Sequence, residues 1–146
     1  MGHDRLVTVE AIHLSAQGAG ELGAVHSVLA VAGKGLVGDR HFHEEGALAG
    51  QALTLVTAEA VEKAELAPGE TRRQLTVRGI DLNELVGKRF RVGDAECFAV
   101  ELCEPCEHLE RLTRPGIMKA LVHRAGINAD ILVGGVIRTG DTLEEL

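Results

Sequence analysis

The residues best suited to chemistry lie in the stretch ELCEPCEHLERL, from Glu101 to Leu112. It holds two of the three cysteines, Cys103 and Cys106, in C-x-x-C spacing, and His108 follows closely. These residue types could ligate a metal, form a redox pair or supply one reactive thiol. They could also be buried sulfur, because a free cysteine packs as a small hydrophobic residue.

Two of these alternatives need partners from elsewhere in the chain. A structural zinc site takes four ligands, and this stretch supplies at most three, so His41 or His43 would have to complete it. A disulfide oxidoreductase needs a thioredoxin-like βαβ unit, which the predicted order of strands does not provide. Cys97 and Cys103 are expected to be packed strand residues.

Cys106 differs from the other two cysteines in its local sequence. It follows Pro105 and precedes a predicted helix, where unpaired backbone N–H groups lower the pKa of a thiol. Glu104 and Glu107 flank it, and nearby carboxylates disfavour the thiolate. A reactive thiolate at Cys106 therefore requires positive charge, or a metal, brought close by the fold.

One source of positive charge is a basic segment within an acidic chain. Residues 70–91 carry six basic and three acidic side chains, whereas the whole chain has a net charge of −7. The basic residues of the segment are Arg72, Arg73, Arg78, Lys88, Arg89 and Arg91. Guanidinium groups bind phosphate in bidentate fashion, so the segment predicts an anionic ligand. The alternative is a solvated strand face; in a strand, Arg72 and Arg73 would point to opposite sides, and at most one would face a given pocket.

A second polar segment, GLVGDRHFH at 35–43, is bounded by Gly35 and Gly38, which permit tight turns. Between and after these glycines lie Asp39, Arg40, His41 and His43. The segment is a candidate loop for gripping a ligand. In the alternative interpretation, Asp39 and Arg40 only hold the loop backbone.

The elements that position these residues are short and separated by glycines. The strand-like segments are 5–14, 24–33, 51–57, 72–80, a hairpin over 89–102 that turns at Gly93 and Asp94, and two strands within 128–146. The helical segments are 58–66, a short turn over 81–87, 107–112 and 116–126, with caps predicted at Thr57 and Asp81. Strands interrupted only by short helices predict an α+β, β-rich, barrel-like domain.

Composition excludes several classes of function. The 146 residues suggest one domain over 1–146. There is no Trp or Tyr to stack on bases, and the net charge of −7 disfavours nucleic acid and anionic membranes. The charged N-terminus does not resemble a signal peptide, and the odd number of cysteines suggests no disulfide framework, so a reducing cytoplasm is the expected location.

Taken in order, these stretches resemble the MOSC domain, named for the C-terminal domain of molybdenum-cofactor sulfurases. The similar stretches are 35–42, 51–62, 68–94, 103–112 and 131–146. The resemblance implies a β-barrel with a few short helices. It also implies that Cys106 ligates molybdenum or carries sulfur as a persulfide, that Arg72 or Arg73 binds the pterin phosphate, and that the G-D-R-H loop contributes Gly38, Asp39, Arg40 and His41.

Further expectations follow from the same resemblance. Related proteins that bind the cofactor reduce N-hydroxylated compounds. Gln74 stands where the family usually has asparagine, which moves the amide by one methylene. No pyridoxal phosphate is expected, because the lysine that binds it lies in a different domain of full sulfurases.

The leading hypothesis is binding of molybdenum cofactor or a related anionic pterin, with a sulfur donor or molybdoenzyme as the expected partner. The rival is a non-catalytic sulfur carrier or interaction module; a monomer and a homodimer both remain open.

Overall fold

The fold was analysed in a computed structural model, which describes residues 7–15, 23–67, 69–103, 116 and 123–146. Their strands form an eight-stranded mixed sheet and a separate three-stranded sheet. The strands are β1 Thr8–Leu14, β2 Gly23–Val25, β3 Ser27–Val31, β4 Gly35–Leu36, β5 Leu53–Thr57, β6 Leu75–Arg78, β7 Arg89–Val92, β8 Ala95–Leu102, β9 Ile127–Val133, β10 Gly135–Arg138 and β11 Leu143–Glu145. Helix α1 spans Ala58–Lys63, and a 3₁₀ helix spans Leu82–Leu85.

The larger sheet has the strand order β11-β7-β8-β9-β5-β6-β1-β2, and the smaller one β10-β3-β4. Every pair is antiparallel except β5 with β6, which α1 connects. A single bridge joins Thr8 of β1 to Thr142, just before β11, so the sheet curves round without closing into a continuous ladder. The β-rich α+β fold predicted from the sequence is confirmed.

The core draws buried residues from both sheets and is almost entirely aliphatic. Alternate strand residues point into it, as the period of two requires. Its fully buried large side chains are Phe90, Ile12, Leu36, Leu53, Leu55, Leu75, Leu82, Leu85, Ile127 and Ile137. Burying such side chains stabilises the fold by about 2 kcal/mol each. A smaller apolar cluster around Val61 and Val56 attaches α1 to the sheet.

Several local predictions are confirmed. The Thr57 hydroxyl oxygen accepts a hydrogen bond from the N–H of Ala60 at 3.1 Å and so caps α1. Asp81 caps the 3₁₀ helix by accepting from the N–H of Asn83. The hairpin β7-β8 turns at Gly93 and Asp94. Glycine suits this turn because its φ is +56° and an added Cβ would clash with neighbouring backbone.

Three predictions need correction. The segment 24–33 is two strands, because the backbone bends at His26 between β2 and β3. Residues 72–74 are not strand, since β6 begins only at Leu75. The C-terminal segment contains three strands rather than two. The predicted helix 107–112 and most of 116–126 lie outside the described residues. No helix among those described is both long and apolar enough to cross a bilayer.

Candidate functional site

A cavity of about 450 Å³ lies where the end of β1, the loop after β4 and the segment before β6 come together. We call it the arginine cavity. Its described lining residues are His13, Ser15, Asp39, Arg40, His41, His43, Gly50, Gln51, Thr54, Thr71, Arg72, Arg73, Gln74 and Asn128. Six of the residues predicted for the site therefore share one cavity. Gly38 is not among the lining residues, although its φ of +92° helps the loop to turn towards it.

Asp39 anchors the loop that forms one wall. The carboxylate is buried, with 7% of the residue exposed, and accepts three hydrogen bonds. Oδ1 accepts from the Ser15 N–H at 2.7 Å. Oδ2 accepts from the His41 N–H and from the Gln74 side-chain amide, both at 2.9 Å. Because these donors belong to three separate segments, Asp39 ties the walls of the cavity together, and its carboxylate oxygens are already occupied by hydrogen bonds within the protein.

Gln74 continues the same network towards β5. Its amide oxygen accepts from the Thr54 N–H at 2.9 Å, and the Thr54 hydroxyl accepts from the Gln74 N–H at the same distance. The side-chain amide thus donates to Asp39 and accepts from β5. The longer glutamine side chain bridges the loop and the sheet, so its amide is engaged in positioning other groups.

Arg72 and Arg73 both line the cavity, contrary to the alternation predicted for a strand. Arg72 has a left-handed backbone, with φ of +63°, so the chain turns between the two arginines. This conformation is uncommon for a residue with a side chain and costs about 1–2 kcal/mol. The Arg73 Nε donates to the carbonyl oxygen of Ala125 at 2.8 Å, which holds its guanidinium against the chain just before β9.

His41 and Arg40 contribute a second polar edge. Burial is the main cause that lowers the pKa of His41, and the positive charges of Arg40 and Arg72 lower it further, while Asp39 opposes the shift. The imidazole is therefore neutral at pH 7. The Arg40 backbone N–H donates to the Ser15 carbonyl oxygen at 2.6 Å, so the loop is tied to β1 while the Arg40 side chain stays exposed.

The charge of the arginine cavity contrasts with that of the chain. Three arginines line it, and of its described lining residues only Asp39 is a carboxylate. Arg40 and Arg73 form no ion pair with the part of the chain that the structure describes. The described lining of the cavity is thus net positive in a chain of charge −7, which suits it to an anionic ligand.

Comparison with known proteins identifies the family. The family model of the MOSC domain matches residues 38–144, which is most of the chain and includes every described lining residue of the arginine cavity except His13 and Ser15. The chain belongs to the MOSC domain family. This confirms the resemblance inferred from the sequence.

Solved structures agree with this family at the level of fold. The YuaD protein from Bacillus subtilis has a TM-score of 0.79 at 17% identity, with 95% of this chain and 94% of that chain covered. YiiM from Geobacillus stearothermophilus has a TM-score of 0.76 at 17% identity, with 96% and 75% covered. YiiM from Escherichia coli has a TM-score of 0.66 at 17% identity, with 95% and 69% covered. No curated protein matches the chain significantly.

Cys106, the cysteine assigned by resemblance to the MOSC family's chemistry, lies outside the described residues together with Glu104, Pro105 and His108. Cys97 is fully buried, and burial raises the pKa of its thiol to about 12, so it is an inert core residue as predicted. Cys103 is also buried, and its Sγ donates to Oδ1 of Asn128 at 2.7 Å. No metal-binding group of three or more His, Cys, Asp or Glu occurs among the described residues.

Sequence reasoning missed several lining residues of this MOSC domain. Thr54 and Asn128 are register partners on β5 and β9, and the sequence does not reveal that these strands pair. His13 is the more informative omission. Its neighbour Ile12 points into the core, so a period of two places His13 on the opposite face, yet only 7% of it is exposed. The sequence shows only a polar residue in an otherwise apolar strand end, and its burial is visible only in the structure.

Proposed function

We propose that this MOSC protein binds molybdenum cofactor, or a related phosphorylated pterin, in the arginine cavity. The observation that carries the proposal is that Arg40, Arg72 and Arg73 line one cavity. The described carboxylate of this cavity, Asp39, already accepts hydrogen bonds from other groups of the protein. Guanidinium groups bind phosphate oxygens through charge-assisted hydrogen bonds, which are the strongest hydrogen bonds available to a protein.

The remaining lining residues suit the rest of such a ligand. The volume of about 450 Å³ falls within the range of roughly 300–1,000 Å³ typical of small-molecule sites. Polar side chains of Gln51, Thr71 and Asn128 line it together with neutral imidazole groups, and this mixture fits the hydrogen-bonding edge of a heterocycle. Arg73 would hold the phosphate most rigidly, because its Nε is already fixed by the Ala125 carbonyl oxygen.

The role of Cys106 is part of the proposal. The cofactor, when bound, supplies a molybdenum centre able to accept a thiolate ligand. Cys106 would serve as that ligand or, alternatively, hold sulfur as a persulfide for transfer. In either role the thiolate is favoured by the cations of the arginine cavity, provided that the fold brings Cys106 to its mouth. Reduction of N-hydroxylated compounds is the activity that family resemblance suggests for the metal-bound form.

The rival proposal is a sulfur carrier or interaction module that acts with a partner enzyme. It predicts a persulfide at Cys106 and no bound cofactor. Both forms of the proposal are compatible with a cytoplasmic protein that meets a sulfur donor or a molybdoenzyme. The size and charge of the arginine cavity favour the cofactor, because a carrier that only presents a sulfur atom has no need of three arginines around a cavity of this volume.

The test is purification of the protein from cells supplied with molybdenum, followed by elemental analysis and pterin fluorescence. We expect molybdenum and pterin together in the wild type, pterin without comparable molybdenum in Cys106→Ser, and loss of both in Arg73→Ala. Arg91→Ala is the matched control and should retain both. Absence of metal and pterin from the wild type, with a persulfide on Cys106 in its mass spectrum, would favour the sulfur carrier instead.

A further inference from the structure

His13 is buried in the wall of the arginine cavity with an unsatisfied polar atom. The residue is 7% exposed, and Nδ1 of its imidazole has no hydrogen-bond partner among the residues that the structure describes. Its backbone N–H is satisfied by the Gln74 carbonyl oxygen at 2.8 Å, so only the ring remains incomplete. Leaving a buried polar atom without a partner costs about 1–3 kcal/mol.

The ring is held in place by a close backbone approach. Gly69, with φ of +90°, lies against the imidazole, and a Cβ added there would come within 2.9 Å of Cδ2 and 3.0 Å of Nε2. Any larger residue at this position would push the ring away. An apolar side chain could fill the same space without leaving a buried nitrogen unpaired. The presence of an imidazole, with a glycine packed against it, therefore suggests a role other than packing.

The protonation state of His13 limits the kinds of ligand group that its imidazole can bind. Burial lowers the pKa of the imidazole, so the ring is neutral at pH 7. A neutral imidazole has one N–H donor and one acceptor nitrogen, and it carries no charge to attract a phosphate. The arginines already provide that attraction. His13 is thus suited to an uncharged polar group of the ligand.

Resting on the proposed function, we infer that His13 is a specificity-determining residue that recognises the heterocycle of the phosphorylated ligand by a hydrogen bond of its imidazole. The arginines bind the phosphate, and His13 distinguishes a ligand with a polar ring from phosphate alone. A ring amide or amine of the ligand would supply a hydrogen-bond partner for the imidazole. The ligand class is therefore a phosphorylated heterocycle with donors and acceptors on its ring edge, such as a pterin monophosphate.

The experiment compares two probes, neopterin monophosphate and inorganic phosphate, by titration calorimetry with wild type, His13→Leu and His13→Asn. We expect His13→Leu to weaken binding of neopterin monophosphate by roughly 5–10-fold and to change phosphate binding by less than about twofold. His13→Asn should recover part of the loss, since its amide can hydrogen-bond near the position of Nδ1. The exposed His26, changed to Leu, is the matched control and should alter neither.

Stability of the ligand-free protein supplies a second readout. Replacing an unsatisfied buried group with an apolar one should leave the melting temperature of His13→Leu unchanged or raised. Equal losses for both probes, or unchanged binding of both in His13→Leu and His13→Asn, would overturn the inference while leaving the phosphate site intact. A melting temperature lowered in both variants would make His13 a structural residue. Failure of the wild type to bind either probe would instead remove the proposed function itself.

Discussion

Arginines occupy two contrasting environments in this protein. On the outer face of the larger sheet, each is paired with glutamate: Arg78 with Glu10 and Glu62, and Arg91 with Glu96 at 3.6 Å and Glu144 at 3.3 Å. In the arginine cavity, Arg40 and Arg73 have no carboxylate partner within the described ranges, and the one described carboxylate there is engaged by N–H donors.

The two environments cannot be told apart by charge density along the chain. Arg72, Arg73, Arg78 and Arg91 all belong to one basic segment of the sequence. The fold separates them, because β6 and β7 carry two of them onto the solvated face, while the turn before β6 directs the other two into the cavity. Exposed ion pairs contribute only about 0–1 kcal/mol each. In the proposed function, the arginines that line the cavity bind an anionic ligand from outside the chain.

Removing a carboxylate from each environment should give the largest difference in stability. Asp39→Asn places an amide NH₂ among N–H donors, so we expect the free energy of unfolding to fall by about 2 kcal/mol. Glu96→Gln on the outer face should lower it by less than about 1 kcal/mol. Urea unfolding of both variants measures the difference. Equal effects would mean that Asp39 does not organise the cavity.

Substituting an arginine with glycine should change the free energy of unfolding in opposite directions in the two environments. Arg72→Gly relieves the left-handed backbone at φ of +63° and should raise the free energy of unfolding by about 1 kcal/mol. Arg91→Gly, within β7, should lower it by about 1 kcal/mol, because glycine loses more conformational entropy in a strand. Thermal unfolding of ligand-free protein tests both. Destabilisation of the same size at both positions would contradict the idea that Arg72 is held in a strained conformation for its side chain.

A smaller effect on stability should come from pH, through the two histidines with lowered pKa values that line the arginine cavity. Burial lowers the folded-state pKa of His13 and His41 below 6.5, so the unfolded chain binds more protons as the pH falls through that value. Stability should therefore be constant above about pH 7 and decline as the pH falls below about 6.5. The double variant His13→Leu, His41→Gln should flatten the decline in melting temperature, and an undiminished decline would place its cause elsewhere.

The parts of the fold that follow local rules could be predicted from the sequence. Thr57 caps α1, and Gly93 turns the hairpin β7-β8, because caps and tight turns depend on neighbouring residues. The strand predicted over 72–80 began too early, since arginine gives no sign of a left-handed backbone at position 72. That turn is imposed by tertiary contacts, among them the bond from Arg73 Nε to the Ala125 carbonyl oxygen, 52 residues away.

Of the eight residues predicted for the candidate site, six lie in one cavity, Gly38 does not line it, and Cys106 lies outside the described residues. Asp39, Arg40, His41, Arg72, Arg73 and Gln74 do share one cavity, as the ordered family stretches suggested. The sequence could not show that Asp39 and Gln74 bond to each other, or that Ser15 and Thr54 complete their network, because these contacts cross between distant strands. Which arginines are paired depends on partners up to 68 residues away, as for Arg78 and Glu10.

The most direct test of the central claim is calorimetric titration of the purified, ligand-free protein with neopterin monophosphate, using one arginine from each environment. Arg73→Gln removes a cation from the arginine cavity, and Arg91→Gln removes one from the outer face. The account predicts saturable binding to wild type, roughly tenfold or greater weakening in Arg73→Gln, and less than about twofold change in Arg91→Gln. Equal affinity in all three proteins, or equal losses in the two variants, would contradict it.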